Sequence, residues 1–284
     1  MPTEAQKQKA KADFKAKLKA FAATLSAHVS TDDQQWAVKG FIDVYRNIYT
    51  ITADTKIVSK ILEIHLFPLI VEFAQANGFK LVLTDHQNYY PDLSFVSELQ
   101  PEVKFAVDLK TTYRLEDKPE FCNGFTLGSH GEYFTNRQGR KNIQFPYEEY
   151  AGHFCLGAIY SRVSGSATDE TRVRGLAELR SIVSVVRDFQ FFAAEKWEIA
   201  SDRSGSGNTA NIGSITRIPD ILDGNGMFRQ LGESWFDDYW MNYGKITAPG
   251  GRKTITKLAD FLAYRGQDPS LVNPRATNRR AKRG

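Results

Sequence analysis

The chain has 284 residues, of which 42% are hydrophobic and 25% are charged, a composition typical of a globular protein with one large domain or two small ones. Two cysteines are too few for a disulfide scaffold, and no apolar run is long enough to span a membrane, so we expect a cytoplasmic protein without a membrane partner. The net charge of +4 is concentrated at the ends, with six lysines against two acidic residues in 1–24 and six basic residues against one aspartate in 265–284. Basic ends favour a polyanionic partner, although merely solvated termini would have the same composition.

The spacing of apolar residues predicts an alternation of helices and strands. Residues 5–28 have helical spacing, and residues 36–51 indicate two short strands around a turn. Asp54 is a suitable N-cap for a long helix that is bent at Pro68 and ends near Gly78. Strands are predicted at 79–83, 93–96 and 104–113, a turn-rich stretch at 122–139, apolar runs at 151–163 and 181–200, and a surface loop at 164–175. This interleaving predicts a mixed α/β layer fold.

The segment 105–111 places two charged side chains inside an apolar strand. Because side chains alternate between the faces of a strand, Asp108 and Lys110 share one face. A short hairpin from the preceding strand would bring Asp92, which follows Pro91, next to Asp108. Two close carboxylates repel each other unless a cation lies between them, and hard oxygen ligands with room for water and phosphate favour Mg²⁺.

The acidic-x-Lys spacing is a weak signal by itself. The same spacing begins at Asp13 in a predicted helix and at Asp54 at a helix cap. It also begins at Glu102 at the polar start of the same strand and at Glu116 in a polar turn. Only the pair that begins at Asp108 lies deep in an apolar strand downstream of a Pro-Asp dipeptide, and a structural ion pair remains an alternative there. Glu63, among apolar residues of the long helix, is either a third acidic ligand or a solvated position on an amphipathic helix.

The loop 204–214 combines glycines with short polar side chains, which suits contact with DNA bases. Asn208 can bond bidentately to adenine, and the methyl group of Thr209 can meet that of thymine. A phosphate cradle is disfavoured because no good helix start follows the Gly-x-Gly pattern, whereas a plain flexible loop remains an alternative. The polar and aromatic stretch at 86–90 either reaches the minor groove or forms a hairpin turn.

Taken together, six stretches of the chain are similar to one family. The chain resembles the EcoRV-like type II restriction endonucleases of the Pro-Asp…Asp/Glu-x-Lys superfamily. The resemblance covers most of residues 36–265 and rests, in this order, on ADTK at 53–56, QNYYPD at 87–92, VDLKTTY at 107–113, FTLG at 125–128, KNI at 141–143 and GSGNTANIGSI at 205–215. It implies a restriction-endonuclease-like α/β fold, with a mixed central β-sheet flanked by helices and a small dimerisation subdomain.

The resemblance also implies roles for the residues of the acidic cluster. Asp92 and Asp108 would bind a catalytic Mg²⁺, with Glu63 as an auxiliary carboxylate on the helix. Lys110 would position or activate the attacking water. These four residues are the expected catalytic set.

DNA contacts are implied for a second group of residues. In the recognition loop, backbone groups of Gly205 and Gly207 would read guanine, Asn208 would read adenine, Thr209 would meet the thymine methyl group, and Asn211 would hold the shape of the loop. Ala210 departs from the family, which has a second threonine there. The remaining expected DNA-binding residues are Ser206 in the same loop, Gln87 and Asn88 in the minor-groove loop, and Lys56, Thr112 and Lys141 near the DNA backbone.

The expected organisation follows from these assignments. Residues 1–24 form a basic helical extension, 25–265 a single endonuclease domain, and 266–284 a basic tail. Within the domain, we expect a catalytic core at 54–145, a recognition loop at 204–214, and dimerisation elements at 36–51 and about 151–163.

The implied activity is hydrolysis of phosphodiester bonds in double-stranded DNA at a short palindrome, expected to be GATATC with a blunt cut, in restriction of foreign DNA. The two identical halves of a palindrome are recognised by two identical subunits, so we expect a homodimer. A cognate DNA methyltransferase is expected in the host, without a stable complex. The alternatives are a repair or junction nuclease of the same fold and a catalytically silent site-specific DNA-binding protein.

Overall fold

The computed structural model describes residues 2–86, 88–163, 172–205, 210–247, 251 and 254–273. Its helices are α1 (Glu4–Val29), α2 (Thr55–Ala76), α3 (Glu132–Thr135), α4 (Lys196–Ile199), α5 (Ile218–Asp223), α6 (Glu233–Asn242) and α7 (Leu258–Tyr264). Its strands are β1 (Gly40–Ile42), β2 (Asn47–Thr50), β3 (Phe79–Leu83), β4 (Leu93–Ser97), β5 (Lys104–Leu115), β6 (Lys118–Cys122), β7 (Thr126–Ser129), β8 (Tyr150–Arg162), β9 (Arg174–Gly175), β10 (Val186–Glu195), β11 (Ala200–Ser204) and β12 (Asn211–Ser214).

The central sheet is mixed, as predicted. Its strands lie in the order β10-β8-β5-β4-β3, and β6 pairs with the far end of β5. The β5–β8 pair is parallel and the others are antiparallel. Strands β3, β4 and β5 form a meander, so β4 and β5 lie side by side. The mixed α/β fold with helices flanking a central sheet is therefore confirmed.

The helix α1 begins with a capping box between Thr3 and Gln6, which satisfies two free backbone N–H groups. One face of α1 is buried, and Phe14 contributes the ring at its centre. This ring stacks on Phe105 at a centroid distance of 4.3 Å and meets Phe95 and Phe154 edge-on. The predicted helix at 5–28 is confirmed, and it is an integral part of the core.

The second long helix, α2, starts where the sequence predicts. The side chain of Asp54 accepts hydrogen bonds from the backbone N–H groups of Lys56 and Ile57. Pro68 lies inside the helix, and the left-handed backbone of Gly78 (φ +72°) follows its end. Together α1 and α2 cover one face of the sheet, while α5, α6 and α7 pack on the apolar cluster of the other face.

A second, three-stranded sheet has the order β11-β12-β7. The stretch 122–139, predicted as turn-rich, therefore contains a strand and the short helix α3 as well as turns. The stretch 204–214 is shorter as a loop than expected, because β11 extends to Ser204 and β12 begins at Asn211. The buried side chains of Leu127 and Ile212 pack these strands against the core. The polar composition of both stretches did not indicate this burial.

The third sheet, β1-β2-β9, carries large apolar side chains at the surface. Phe41 and Ile42 are 55% and 58% exposed. The stretch 151–163 lies elsewhere: β8 is paired on both sides inside the central sheet, between β5 and β10. The structure therefore leaves only the 36–51 part of the expected dimerisation elements at an open surface. The central sheet also extends beyond the expected core at 54–145, since β8 and β10 belong to it.

Among the described residues, no helix has both the length and the apolarity needed to cross a membrane.

Candidate active site

The hairpin of β4 and β5 brings the two predicted aspartates together. Leu93 pairs with Val107 across the hairpin, so Asp92 lies directly opposite Asp108. The backbone N–H of Asp92 donates to Oδ1 of Asp108 at 3.4 Å, and the backbone N–H of Leu109 donates to Oδ2 of Asp92 at 2.7 Å. The carboxylates therefore lie on adjacent strands at the same level of the sheet.

Lys110 joins this pair from the same face of β5. Its Nζ lies 3.2 Å from Oδ2 of Asp108 and 3.9 Å from Oδ2 of Asp92. The side chain of Asp108 is 5% exposed, that of Lys110 is 20% exposed and that of Asp92 is 44% exposed. The site is therefore open on the side of Asp92 and closed behind Asp108.

The two carboxylates differ in their readiness to hold a proton. Partial burial, opposed by Lys110 and assisted by the charge of Asp108, raises the pKa of Asp92 to about 6. Burial also disfavours the charge on Asp108, but the positive charges of Lys110 and Lys196 hold its pKa below the usual value. Burial opposes the charge on Lys110, yet Asp108 and Asp92 outweigh it and raise the pKa of Lys110. The site thus presents a charged lysine and at least one carboxylate anion at neutral pH.

The donor set of Asp92 and Asp108 fits a hard divalent cation. Mg²⁺ is commonly bound through one or two carboxylates, with water and substrate phosphate completing its coordination. The two carboxylates lie opposite each other on adjacent strands, and a cation between them would offset their mutual repulsion. Within the described ranges, no group of three or more His, Cys, Asp or Glu side chains could share a metal.

Glu63 is close enough to act on Asp92 but does not join the two aspartates as a third metal ligand. Its carboxylate pairs with Lys60, one turn earlier on α2. Its charge nevertheless contributes to the raised pKa of Asp92. The expected third ligand is thus engaged by a lysine of its own helix, which sequence spacing alone does not reveal.

The structure adds one residue that sequence reasoning missed. Lys196 is the first residue of α4, is 3% exposed, and lies over the ring of Tyr90 with its Nζ 3.8 Å from the ring centroid. Burial, opposed by the attraction of Asp108, lowers the pKa of Lys196 to about 8. The available signal was a lysine at the end of the apolar run 181–200, where a charged side chain is costly.

The remaining predicted DNA-binding residues differ in their placement. Lys56, Asn88 and Lys141 are exposed. Thr112 is buried, and its hydroxyl donates to the carbonyl oxygen of Asn123, so it presents no free hydroxyl at the surface. Gln87 lies outside the described residues.

The recognition loop is described only at its two ends. The backbone N–H of Gly205 donates to the carbonyl oxygen of Asn211 at 2.7 Å, which closes the loop at its base. A Cβ atom on Gly205 would come within 2.6 Å of the Thr126 side chain, so glycine is required for this close approach. Ser206, Gly207, Asn208 and Thr209 lie outside the described residues.

Comparison with known proteins agrees with this arrangement. The family model described as Restriction endonuclease EcoRV matches residues 32–266. The chain belongs to this family of restriction endonucleases. The type II restriction enzyme EcoRV of Escherichia coli is 35% identical to it over 239 residues, which cover 83% of this chain and 94% of that enzyme.

Membership of the EcoRV family makes the chain a nuclease that cleaves DNA site-specifically, with duplex DNA as its substrate. The family match begins at residue 32, so α1 lies outside the matched region although it fills the core.

Proposed function

We propose that the chain is a Mg²⁺-dependent homodimeric endonuclease that cuts both strands of a short palindromic DNA site. The observation that carries the metal and the chemistry is the arrangement of Asp92, Asp108 and Lys110 on one hairpin. Its open side at Asp92 leaves room for a phosphate group. The intact acidic pair argues against a catalytically silent DNA-binding protein.

Asp92 and Asp108 would hold the cation. When bound there, Mg²⁺ supplies a positive charge that polarises the scissile phosphate and stabilises the leaving oxygen. Lys110 remains protonated because both aspartates raise its pKa. This supports a role in which its ammonium group orients the attacking water and stabilises negative charge developing on the phosphate, rather than accepting a proton. The negative charge of Glu63 would raise the pKa of Asp92 without Glu63 binding the cation.

The proposed site is GATATC, cut bluntly at its centre. The assignment is supported by the resemblance of the loop at 205–215, in which Asn208 and Thr209 would contact adenine and thymine. The close packing of Gly205 on Thr126 and its hydrogen bond to Asn211 give the loop a fixed base. The central TA step of this site is a flexible pyrimidine–purine step, which eases bending of the DNA towards the two active sites. Asn88, Lys56 and Lys141 are exposed and available to contact DNA.

The proposed dimer contact is the surface of β1 and β2. Contiguous exposed apolar residues are characteristic of protein interaction sites. The exposed apolar residues of this surface and of the neighbouring segment that follows β9 include Phe41, Ile42, Val44, Tyr45, Tyr49, Leu176 and Leu179. Two copies related by a two-fold axis would match the symmetry of a palindrome. A cognate methyltransferase would protect the copies of this site in the host genome from cleavage.

The decisive test is digestion of a sequenced phage DNA by the purified protein with Mg²⁺, followed by mapping of the fragment ends. We expect discrete fragments with blunt ends inside GATATC. Asp108→Asn should abolish cutting, while Asp117→Asn, an exposed aspartate in the turn after β5, should not change it. Discrete fragments at another site would overturn the assigned recognition sequence. A smear would favour a repair or junction nuclease.

A further inference from the structure

We propose that Tyr133 is a positioning residue that connects the recognition loop to Asp92 of the candidate active site. Tyr133 lies on α3 and is 7% exposed, and its hydroxyl group and its ring have different partners. The hydroxyl group is bonded to the strand that runs beside the loop, and the ring is stacked on the residue two positions before Asp92. The inference rests on the proposed function and extends it to a residue outside the expected catalytic and DNA-binding sets.

The hydroxyl group of Tyr133 holds the end of β7. It accepts a hydrogen bond of 2.9 Å from the backbone N–H of Ser129, the last residue of that strand. A Cβ atom on the preceding Gly128 would lie 3.1 Å from the hydroxyl oxygen, so the side chain and the strand are in close contact. Loss of the hydroxyl group would leave the backbone donor of Ser129 without this acceptor.

The end of β7 in turn holds the recognition loop. The carbonyl oxygen of Ala210, near the end of the loop, accepts hydrogen bonds from Oγ of Ser129 at 3.2 Å and from the backbone N–H of His130 at 2.8 Å. Ala210 directly precedes Asn211, which pairs with Ser129 across the two strands. A displacement of Ala210 when the loop contacts bases would therefore act on the residue that Tyr133 holds.

The ring of Tyr133 reaches the other end of this path. It is stacked on the ring of Tyr90 with a centroid distance of 5.1 Å and an interplanar angle of 7°. The hydroxyl group of Tyr90 is hydrogen-bonded to Nδ1 of His153 at 2.9 Å, so the ring of Tyr90 is held at its edge as well as on its face. Only Pro91, whose ring restricts its own φ, separates Tyr90 from Asp92. The placement of the Tyr90 ring therefore constrains the backbone that carries Asp92.

The consequence is a cleavage rate that depends on the state of the loop. Correct bases would fix Ala210 and, through Ser129 and Tyr133, the aromatic ring that precedes Asp92. At a site with one changed base pair the loop would be held less firmly, and this support of Asp92 would be weaker. Removal of the hydrogen bond between Tyr133 and Ser129 interrupts the path, because the two ends are joined there by a contiguous series of contacts.

The test compares Tyr133→Phe with Tyr150→Phe. The first variant loses the bond to Ser129 and keeps the ring that stacks on Tyr90. The second loses a buried tyrosine hydrogen bond of similar length, 2.8 Å to Oγ of Ser94, inside the central sheet. Each variant leaves one buried polar group without its partner, so the midpoints of thermal unfolding should be lowered to a similar extent.

The quantity that separates the two variants is a ratio of single-turnover cleavage rates, measured with enzyme in excess. The ratio compares the site mapped by digestion with the same site carrying one changed base pair. Tyr133→Phe should lower it by about tenfold, mainly through a slower rate at the mapped site, which is the size expected for one buried hydrogen bond. Tyr150→Phe should keep the ratio within about twofold of the wild-type value.

An unchanged ratio in Tyr133→Phe would overturn the inference. An equal fall in Tyr150→Phe would also overturn it, because any loosening of the core would then have the same effect. If Tyr133→Phe does not fold, Ser129→Ala interrupts the same path at the bond to Ala210 and should lower the ratio in the same way. Absence of site-specific cutting by the wild type would refute the proposed function and, with it, the basis of this inference.

Discussion

The backbone N–H of Leu109 donates a 2.7 Å hydrogen bond to the carboxylate of Asp92. Because Leu109 lies between Asp108 and Lys110, the strand that carries two of the proposed catalytic side chains also orients the third. The geometry of the site therefore depends on the register of a single hairpin, in which Leu93 faces Val107. A slip by one residue would turn Asp108 towards the helices α1 and α2.

Replacement of Lys110 by alanine should separate binding from cleavage. We expect the variant to bind the cognate duplex with Ca²⁺, while its single-turnover cleavage rate falls by about 10²- to 10³-fold, the cost of removing one group that stabilises transition-state charge. Filter binding and quenched-flow cleavage would measure the two quantities. Lys118→Ala, at an exposed position on β6, is the control and should cleave normally. Wild-type cleavage by Lys110→Ala would contradict the assigned role.

Acid should weaken both cation binding and cleavage. Asp92, with a pKa of about 6, must lose its proton to bind a cation, so the half-saturating Mg²⁺ concentration should rise as pH falls through 6. A raised carboxyl pKa in the folded state also means that the metal-free protein loses stability as pH rises between about 4 and 6. Ca²⁺ should therefore raise the midpoint of thermal unfolding at pH 7.5 more than at pH 5. In Asp92→Asn this difference should be greatly reduced, and its persistence would place the cation elsewhere.

A charge in the surface of β1 and β2 should break the dimer. Ile42→Glu would bury a carboxylate in the proposed contact, which is costly without a partner. We expect sedimentation analysis to give a monomer and supercoiled plasmid DNA to be cut at a strongly reduced rate. Leu99→Glu, a similar change at an exposed turn between β4 and β5, should remain dimeric. A monomeric wild-type protein would refute the proposal directly.

The helix α1 should be required for stability although it lies outside the family match. Phe14 is buried and contacts aromatic rings of α2, β4, β5 and β8. Phe14→Ala should therefore lower the free energy of unfolding by about 3–5 kcal/mol, as for other buried phenylalanines. Lys17→Ala, at an exposed position of the same helix, should change it by less than about 0.5 kcal/mol. Urea denaturation would distinguish these values.

The sequence predicted the elements whose residues follow one strong periodicity. The helices at 5–28 and after Asp54 and the strands around Asp108 all have a regular apolar face or a clear cap, and the structure confirms them. The short strands β7 and β12 were missed because glycine and small polar residues dominate them, and their burial comes from tertiary packing.

Two features of the site depend on contacts between distant parts of the chain. The run at 151–163 is apolar on both faces, which indicates a buried strand but does not say what it is buried against. In the structure it is β8, an inner strand of the central sheet that pairs with β5 and β10. Lys196 is far from Tyr90 in sequence, so the contact of its ammonium group with the Tyr90 ring follows from tertiary packing that periodicity does not reveal.

The ion pairs of α1 affect the order in which parts of the fold can assemble during synthesis. Lys11 pairs with Glu195 and with Glu233, and Lys15 pairs with Glu195 and Glu198. The lysines lie on α1 and leave the ribosome before the strands of the central sheet, whereas Glu233 is synthesised 222 residues after Lys11. These ion pairs of α1 can therefore form only after residues 195–233 have been synthesised. Nascent chains that contain both aspartates but not yet Glu233 lack these ion pairs, so this part of the fold is completed only after Glu233 has emerged.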